Sequence, residues 1–180
     1  MKRFVFWAAA LAYASTAFAS APVPDCLDKA GQRIANPNNE QVLAWKRTTQ
    51  NSYLDRGYIR GTLEGVYGSN PSHLHLDVFI GQKGQASQAN DIEVIYNVEF
   101  GQPPLHPQPG VEVIACGDYI TSNEASGYYP ASPLDAILHW VHKSMNDQHE
   151  DGFLMIDGIL YGQQDAPPRR NFHDAGRAAQ

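Results

Sequence analysis

The sequence predicts a mainly β protein, a small OB-like β-barrel with one N-terminal helix. Three observations point there. One helix-period segment is followed by five or six short segments rich in β-formers, an order that suits a single layered or closed β-domain. The first of these carries Gly61 and Gly65 in its interior, where glycine marks a bulge or tight coiling. Turn residues separate the segments and no repeat recurs, as expected of a small closed sheet. A β-sandwich is the alternative.

In order along the chain, Met1-Lys2-Arg3 is a short positive start, and Phe4 to Tyr13 is an apolar run too short to span a bilayer. Ala17-Phe18-Ala19 is a small-x-small site, so residues 1–19 read as a signal peptide cut after Ala19. No other long apolar run follows, and none would span a membrane. A periplasmic or secreted protein is expected. Residues 20–38 form an irregular arm, 39–162 the single barrel domain, and 163–180 a polar, disordered tail.

Within the domain, Asn39 reads as a helix N-cap, with Glu40 and Gln41 in the first turn. Val42, Trp45, Thr49 and Tyr53 then share a helical face, and Gly57 marks the exit. Tyr58 to Tyr67 is the first strand. His73 to Ile80 alternates, with Leu74, Leu76, Val78 and Ile80 on one face and His73, His75, Asp77 and Phe79 on the other. Asp91 to Val98 places Ile92, Val94, Tyr96 and Val98 opposite Glu93, Ile95 and Asn97. Val111 to Ile120 is the fourth strand. The loop from Thr121 to Asp135 follows, expected to be packed down by Tyr128 and Tyr129, and Ala136 to His142 is the fifth strand. Phe153 to Ile156 and Ile159 to Tyr161 flank Asp157-Gly158, a pair suited to a type I′ hairpin turn.

Composition narrows function. The formal charge of the 180-residue chain is −6, and loss of Lys2 and Arg3 with the leader makes it −8. Nucleic acid is thereby an unfavoured partner, because phosphate backbones select a basic face. Cys26 and Cys116 are an even pair in an exported chain, and one disulfide between them is expected.

The chemistry concentrates between residues 139 and 153. That window holds His139, His142 and His149, three of the seven histidines, together with Trp140, Asp147, Glu150 and Asp151. A regular fifth strand puts His139 and His142 on opposite faces. A strand ending near Trp140 would instead let His142 and His149 meet. With His75 from the second strand and Asp147 or Asp151, a zinc-like site becomes conceivable, the set being His75, His142, His149 and Asp151. An open position on such an ion could activate water. Against this, the histidines lack a tight metal-binding spacing. His73 and His75 also fit a plain polar outer face, and Trp140 fits the core. Asn97 in mid-strand is disfavoured by propensity, which points to a ligand or a buried hydrogen bond, or else to an exposed edge.

Four blocks resemble domain-of-unknown-function family 3465, a group of small secreted bacterial proteins. They are Gly61-Thr62-Leu63-Glu64-Gly65-Val66, His75-Leu76-Asp77-Val78, Tyr96-Asn97-Val98-Glu99 leading to Gly110 and Gly117-Asp118-Tyr119, and a last block. That last block is the most specific: His139-Trp140-Val141-His142, then His149, Gly152 and Phe153. The resemblance spans about Gln41 to Tyr161 and implies a small barrel, with no activity attached. Lys143-Ser144-Met145 departs from the His-Asp-Pro usual in the family after the second histidine, the family's usual Arg near Asp77 is replaced, and the 121–135 loop is longer.

Two functions follow. The first is a binding or interaction module, in which His75, Asn97, His139, Trp140, His142 and His149 hold a small polar ligand, a glycan or a protein segment. No catalytic residue is assigned and no cofactor is required by it. The second is a metal-dependent hydrolase of phosphoesters or glycans using His75, His139, His142 and His149. No nucleophile elbow, phosphate loop or acid pair supports that second reading.

Overall fold

The computed structural model describes residues 21–69, 72–85, 88–145 and 149–165. The expected leader, Asp147, His173 and most of the expected disordered tail lie outside them. Among the described residues the order is a helix α1 (Asn39–Thr48) followed by strands β1 (Tyr53–Ser69), β2 (His73–Phe79), β3 (Asp91–Asn97), β4 (Glu112–Thr121), β5 (Ala136–His139), β6 (Phe153–Ile156) and β7 (Ile159–Tyr161).

The strands form one mixed seven-stranded sheet in the order β1-β2-β3-β5-β4-β6-β7. β1 also pairs with β4, so five strands join into a ring. Among the described residues one sheet carries every named strand, in place of the two separate sheets of the sandwich alternative. The closure depends on the length of β1. Its first part pairs antiparallel with β4, from Tyr53 opposite Ile120 to Thr62 opposite Glu112. Its second part pairs with β2, with register shifts between Leu63 and Gly65 and between Val66 and Gly68. Those irregularities bend one strand through both neighbours. β3 and β5 are parallel, and the other pairs are antiparallel.

The helix ends earlier than its periodicity suggests. Tyr53 begins β1, and Gly57 lies within that strand. A Cβ at Gly57 would stand 2.7 Å from Leu138 Cδ1 and 3.4 Å from Val42 Cγ2, so glycine serves close packing there and ends no helix. Thr48 and Thr49 close α1 by donating their hydroxyls to the carbonyls of Ala44 and Trp45. The N-cap position belongs to Asn38, one residue before the expected Asn39, and its side chain makes no cap bond. Both asparagines bond instead to the strand. Tyr58 N–H donates to Asn38 Oδ1 at 2.8 Å, and Arg60 N–H to Asn39 Oδ1 at 3.0 Å. The helix N-terminus is thereby stitched to β1.

The alternation of β2 and β3 holds. Leu74, Leu76, Val78, Ile92, Val94 and Tyr96 are fully buried inside the ring with Ile59, Leu63 and Leu138. β4 is buried on both faces, because its other face meets a smaller cluster of Cys26, Ile114, Cys116, Phe153 and Met155 beneath the arm. The Cys26–Cys116 disulfide pins that arm, with a sequence separation of 90. Chain entropy assigns such a bridge roughly 4–5 kcal/mol. The 153–161 hairpin turns at Asp157 and Gly158, both with positive φ as a type I′ turn requires. Tyr128 and Tyr129 do not pack the 121–135 loop; they are 104% and 77% exposed. Residues 163–165, expected to be disordered, are tied to the domain: Gln163 Nε2 donates to Gly152 O and Lys143 pairs with Asp165.

Candidate functional site

The site begins where β5 stops. The strand was expected to run to His142, but it ends at His139, and Trp140 takes a φ of +51°. Two glycines make room for the departing chain. A Cβ on Gly117 would stand 2.3 Å from His139 O, and one on Gly152 would stand 2.2 Å from Trp140 O. Val141 then turns fully into the core. Gly152 N–H donates to His142 O, and Lys143 N–H donates to Gly162 O. The break removes the alternation that would have separated His139 from His142.

A cavity of about 300 Å³ results. Asn97, His139, Trp140, His142 and His149, all candidates from the sequence, line it. His73, Phe100, Ser144, Met145 and Glu150 complete the wall. No lysine or arginine is among these residues.

Each imidazole has a defined setting. His142 is 8% exposed and stacks on Phe100, centroids 3.7 Å apart. Its Nδ1–H donates to Lys143 O at 2.8 Å, which leaves Nε2 as an acceptor. Burial pushes its pKa below the ordinary imidazole value. His139 is pushed down further, to about 4, by burial first and then by His73 and His142. His73 stands 6.0 Å from His139, ring centroid to centroid, and burial lowers its pKa too. His149 stacks on Trp140 at 4.1 Å and places Nδ1 2.8 Å from Asp118 Oδ2.

Behind His149 lies a buried network. Arg56 and Asp118 are each 1% exposed. Arg56 Nη1 donates to Asp118 Oδ1 at 2.9 Å and to Glu150 O at 2.8 Å, and its Nη2 donates to Asp151 O at 2.6 Å. The Tyr53 hydroxyl donates to Asp118 Oδ2, and burial followed by that carboxylate raises the phenol pKa. A charged pair this deep is costly unless its remaining bonding capacity is met, and here most of it is.

Asn97 does not sit in mid-strand. It ends β3 and caps the short 3₁₀ turn Val98–Phe100, its Oδ1 accepting from Glu99 N–H at 2.9 Å. That bond accounts for a residue that strand propensity disfavours, and it leaves Nδ2 as the side chain's donor.

Two candidates are not brought to the cavity. His75 bonds through Nδ1 to Glu93 Oε1 at 2.7 Å, and Glu93 Oε2 also accepts from Ser132 Oγ. Asp151 accepts from Ser144 N–H at 2.7 Å and so shapes a loop. The four-ligand set His75, His142, His149 and Asp151 is therefore not assembled. Among the described residues, no three His, Cys, Asp or Glu side chains are grouped to hold a metal ion.

Sequence reading missed His73, Phe100, Arg56 and the role of Asp118. His73 lies opposite Asn97 in the β2–β3 register, a pairing no local pattern reveals. Arg56 fell within the supposed helix, and Asp118 was visible only inside the Gly117-Asp118-Tyr119 block. No family model matches this chain, and neither a curated protein nor a solved structure matches it.

Proposed function

We propose that this protein is an exported barrel of OB-like build that binds a small polar ligand in the histidine-lined cavity. One observation carries the reading: five side chains singled out for a ligand face, from β3, β5 and the segment beyond, line one cavity of about 300 Å³. That size sits at the lower end of small-molecule sites. The fixed Nδ1 protons of His142 and His149 make their Nε2 atoms acceptors, and Asn97 adds donors. Among the described residues the wall holds no cation, and the fitting ligand is uncharged and carries hydroxyl groups, a glycan fragment being one such molecule.

Several features agree with the rest of the proposal. The ring order β1-β2-β3-β5-β4 agrees with an OB-type barrel, and His73 on β2 and Asn97 on β3 lie on the strands whose face holds ligands in such barrels. The Cys26–Cys116 bridge suits an oxidising compartment and hence a cleaved leader. No helix among the described residues is long and apolar enough to cross a membrane. The last block resembling family 3465 supplies His139, Trp140, His142 and His149 to the same wall.

The test is a titration of the mature protein with sugars, polyols and small hydroxy-amides at pH 7.5, followed by the Trp140 indole N–H resonance. A saturable shift that His142→Leu removes is expected. Shifts confined to other parts of the surface, or none from any class, would count against the cavity as a binding site.

A further inference from the structure

We infer that His149 is the general base of a hydrolytic site in this cavity, and that its substrate is an uncharged carboxylic ester. The inference rests on the cavity being a binding site and adds a reaction to it.

Holding a ligand does not require the network behind His149. Asp118 and Arg56 are taken almost fully out of water, and Asp118 gives its second oxygen to an imidazole that faces the cavity. A buried carboxylate on Nδ1–H fixes the tautomer, leaves the Nε2 lone pair for a proton, and stabilises the imidazolium once formed. The same guanidinium holds the carbonyls of Glu150 and Asp151, so the backbone next to His149 is fixed by the residue that fixes its carboxylate. Trp140 stacks on the ring and sets its plane. Asp118 and Arg56 are thus positioning residues, and His149 is the group that meets the reacting atoms.

The wall narrows the substrate. A phosphoester would bring negative charge to a cavity whose lining, among the described residues, holds no lysine or arginine. Glycoside cleavage uses two flanking carboxyl groups, and among the described residues Glu150 is the one carboxylate in the wall. A neutral ester needs a base, a donor for the carbonyl oxygen and an apolar surface for the acyl chain. His149, Asn97 Nδ2 and the exposed Met145 supply these.

In the step, a water O–H proton passes to His149 Nε2 as the water oxygen bonds the carbonyl carbon. The C=O electron pair moves onto oxygen, which accepts from Asn97 Nδ2–H. When the carbonyl re-forms, the bond to the alkoxy oxygen breaks and the imidazolium returns its proton to that oxygen. One ester and one water give one acid and one alcohol.

The experiment uses mature protein with p-nitrophenyl esters from acetate to octanoate between pH 5 and 9, set against the same concentration of free imidazole. The matching p-nitrobenzyl alkyl ketones, which cannot be hydrolysed, are titrated in parallel by the Trp140 resonance. Saturable turnover above imidazole is expected. His149→Gln, a change at a partly exposed side chain, should lower kcat by about 100-fold or more with melting temperature retained. Asp118→Asn should also lower kcat with KM little changed, because the imidazole loses the acceptor that fixes its tautomer. Turnover no faster than imidazole, or unchanged in His149→Gln, overturns the inference. If the ketones still bind, the binding reading survives that failure; if they do not, both fall.

Discussion

The outer face of β2 and β3 carries two opposite chemistries at its two ends. At one end His73 lies opposite Asn97, beside His139 and His142. At the other, Asp91 lies opposite Phe79, with Asp77 one rung away. His75 and Glu93 bond to each other between them. Burial acts on both ends with opposite sign, because it always disfavours the charged form. It drives His139 down to about 4 and Asp91 up to about 6, with Asp77 adding to the rise. The histidine end is therefore neutral and quiet at pH 7. The carboxylate end is charged at pH 7 against its own solvation. Oδ1 of Asp77 and Oδ1 of Asp91 are buried with no hydrogen-bond partner, and the nearby Lys46 ammonium bonds to backbone carbonyls of Gln88 and Asp91. Burial alone thus makes charge costly on either end of the face. Offsetting that cost, as Arg56 and Asp118 do for each other, takes a matched partner.

The largest effect should come from breaking that matched pair. Arg56→Met leaves Asp118 buried without its cation and frees two carbonyls, and a loss of about 3–5 kcal/mol is expected in urea unfolding at pH 7. A loss below about 1 kcal/mol would mean that Asp118 is solvated in ways the network does not suggest.

Next comes acidification at the histidine end. The folded His139 pKa is depressed, so the unfolded chain takes up its proton first as pH falls below about 6.5. Stability is then lost down to about pH 4, by an amount on the order of 3 kcal/mol. His139→Gln should remove that part of the acid sensitivity, which melting curves at pH 7, 5.5 and 4 would record. His73, His142 and His149 face the same space, and their mutual repulsion adds to the wild-type loss.

The carboxylate end should respond the other way. The folded Asp91 pKa is raised, so its share of stability is present near pH 4 and is lost as pH rises through about 6. Asp91→Asn should then stabilise the protein by about 2 kcal/mol at pH 7 and by little at pH 4. Equal effects at both pH values would break the contrast between the two ends. Tyr128→Ser, at a fully exposed side chain of the 121–135 loop, should stay within about 0.5 kcal/mol at any pH and serves as the reference.

Much of the fold was legible from local pattern. The alternation of Leu74, Leu76 and Val78, and of Ile92, Val94 and Tyr96, reports an inward face because side chains in strands alternate. Asp157-Gly158 marked its hairpin through backbone preference alone. The helix end was misplaced because Tyr53 continues the helical spacing of Val42 and Trp45, while pairing with β4, a strand some sixty residues away, claims it for the sheet. Asn97 looked anomalous only as long as it was taken to lie inside a strand.

The candidate site was half legible. Its residue types stood out by their density between His139 and Gly152, but their grouping depended on where β5 broke. That break needs Gly117 and Gly152 beside the chain, and they come from β4 and the start of the last hairpin. Spacing and composition along short stretches were enough to place most strands approximately, to pick the inward faces of β2 and β3, and to mark the cysteine pair and the histidine-rich window, but not to fix where β1 begins or β5 ends. Tertiary structure alone decided that β1 would close the ring, that His73 would join the cavity while His75 turned to Glu93, and that Arg56 and Asp118 would stand behind His149. Those outcomes depend on distances between residues far apart in the chain, which only packing can set.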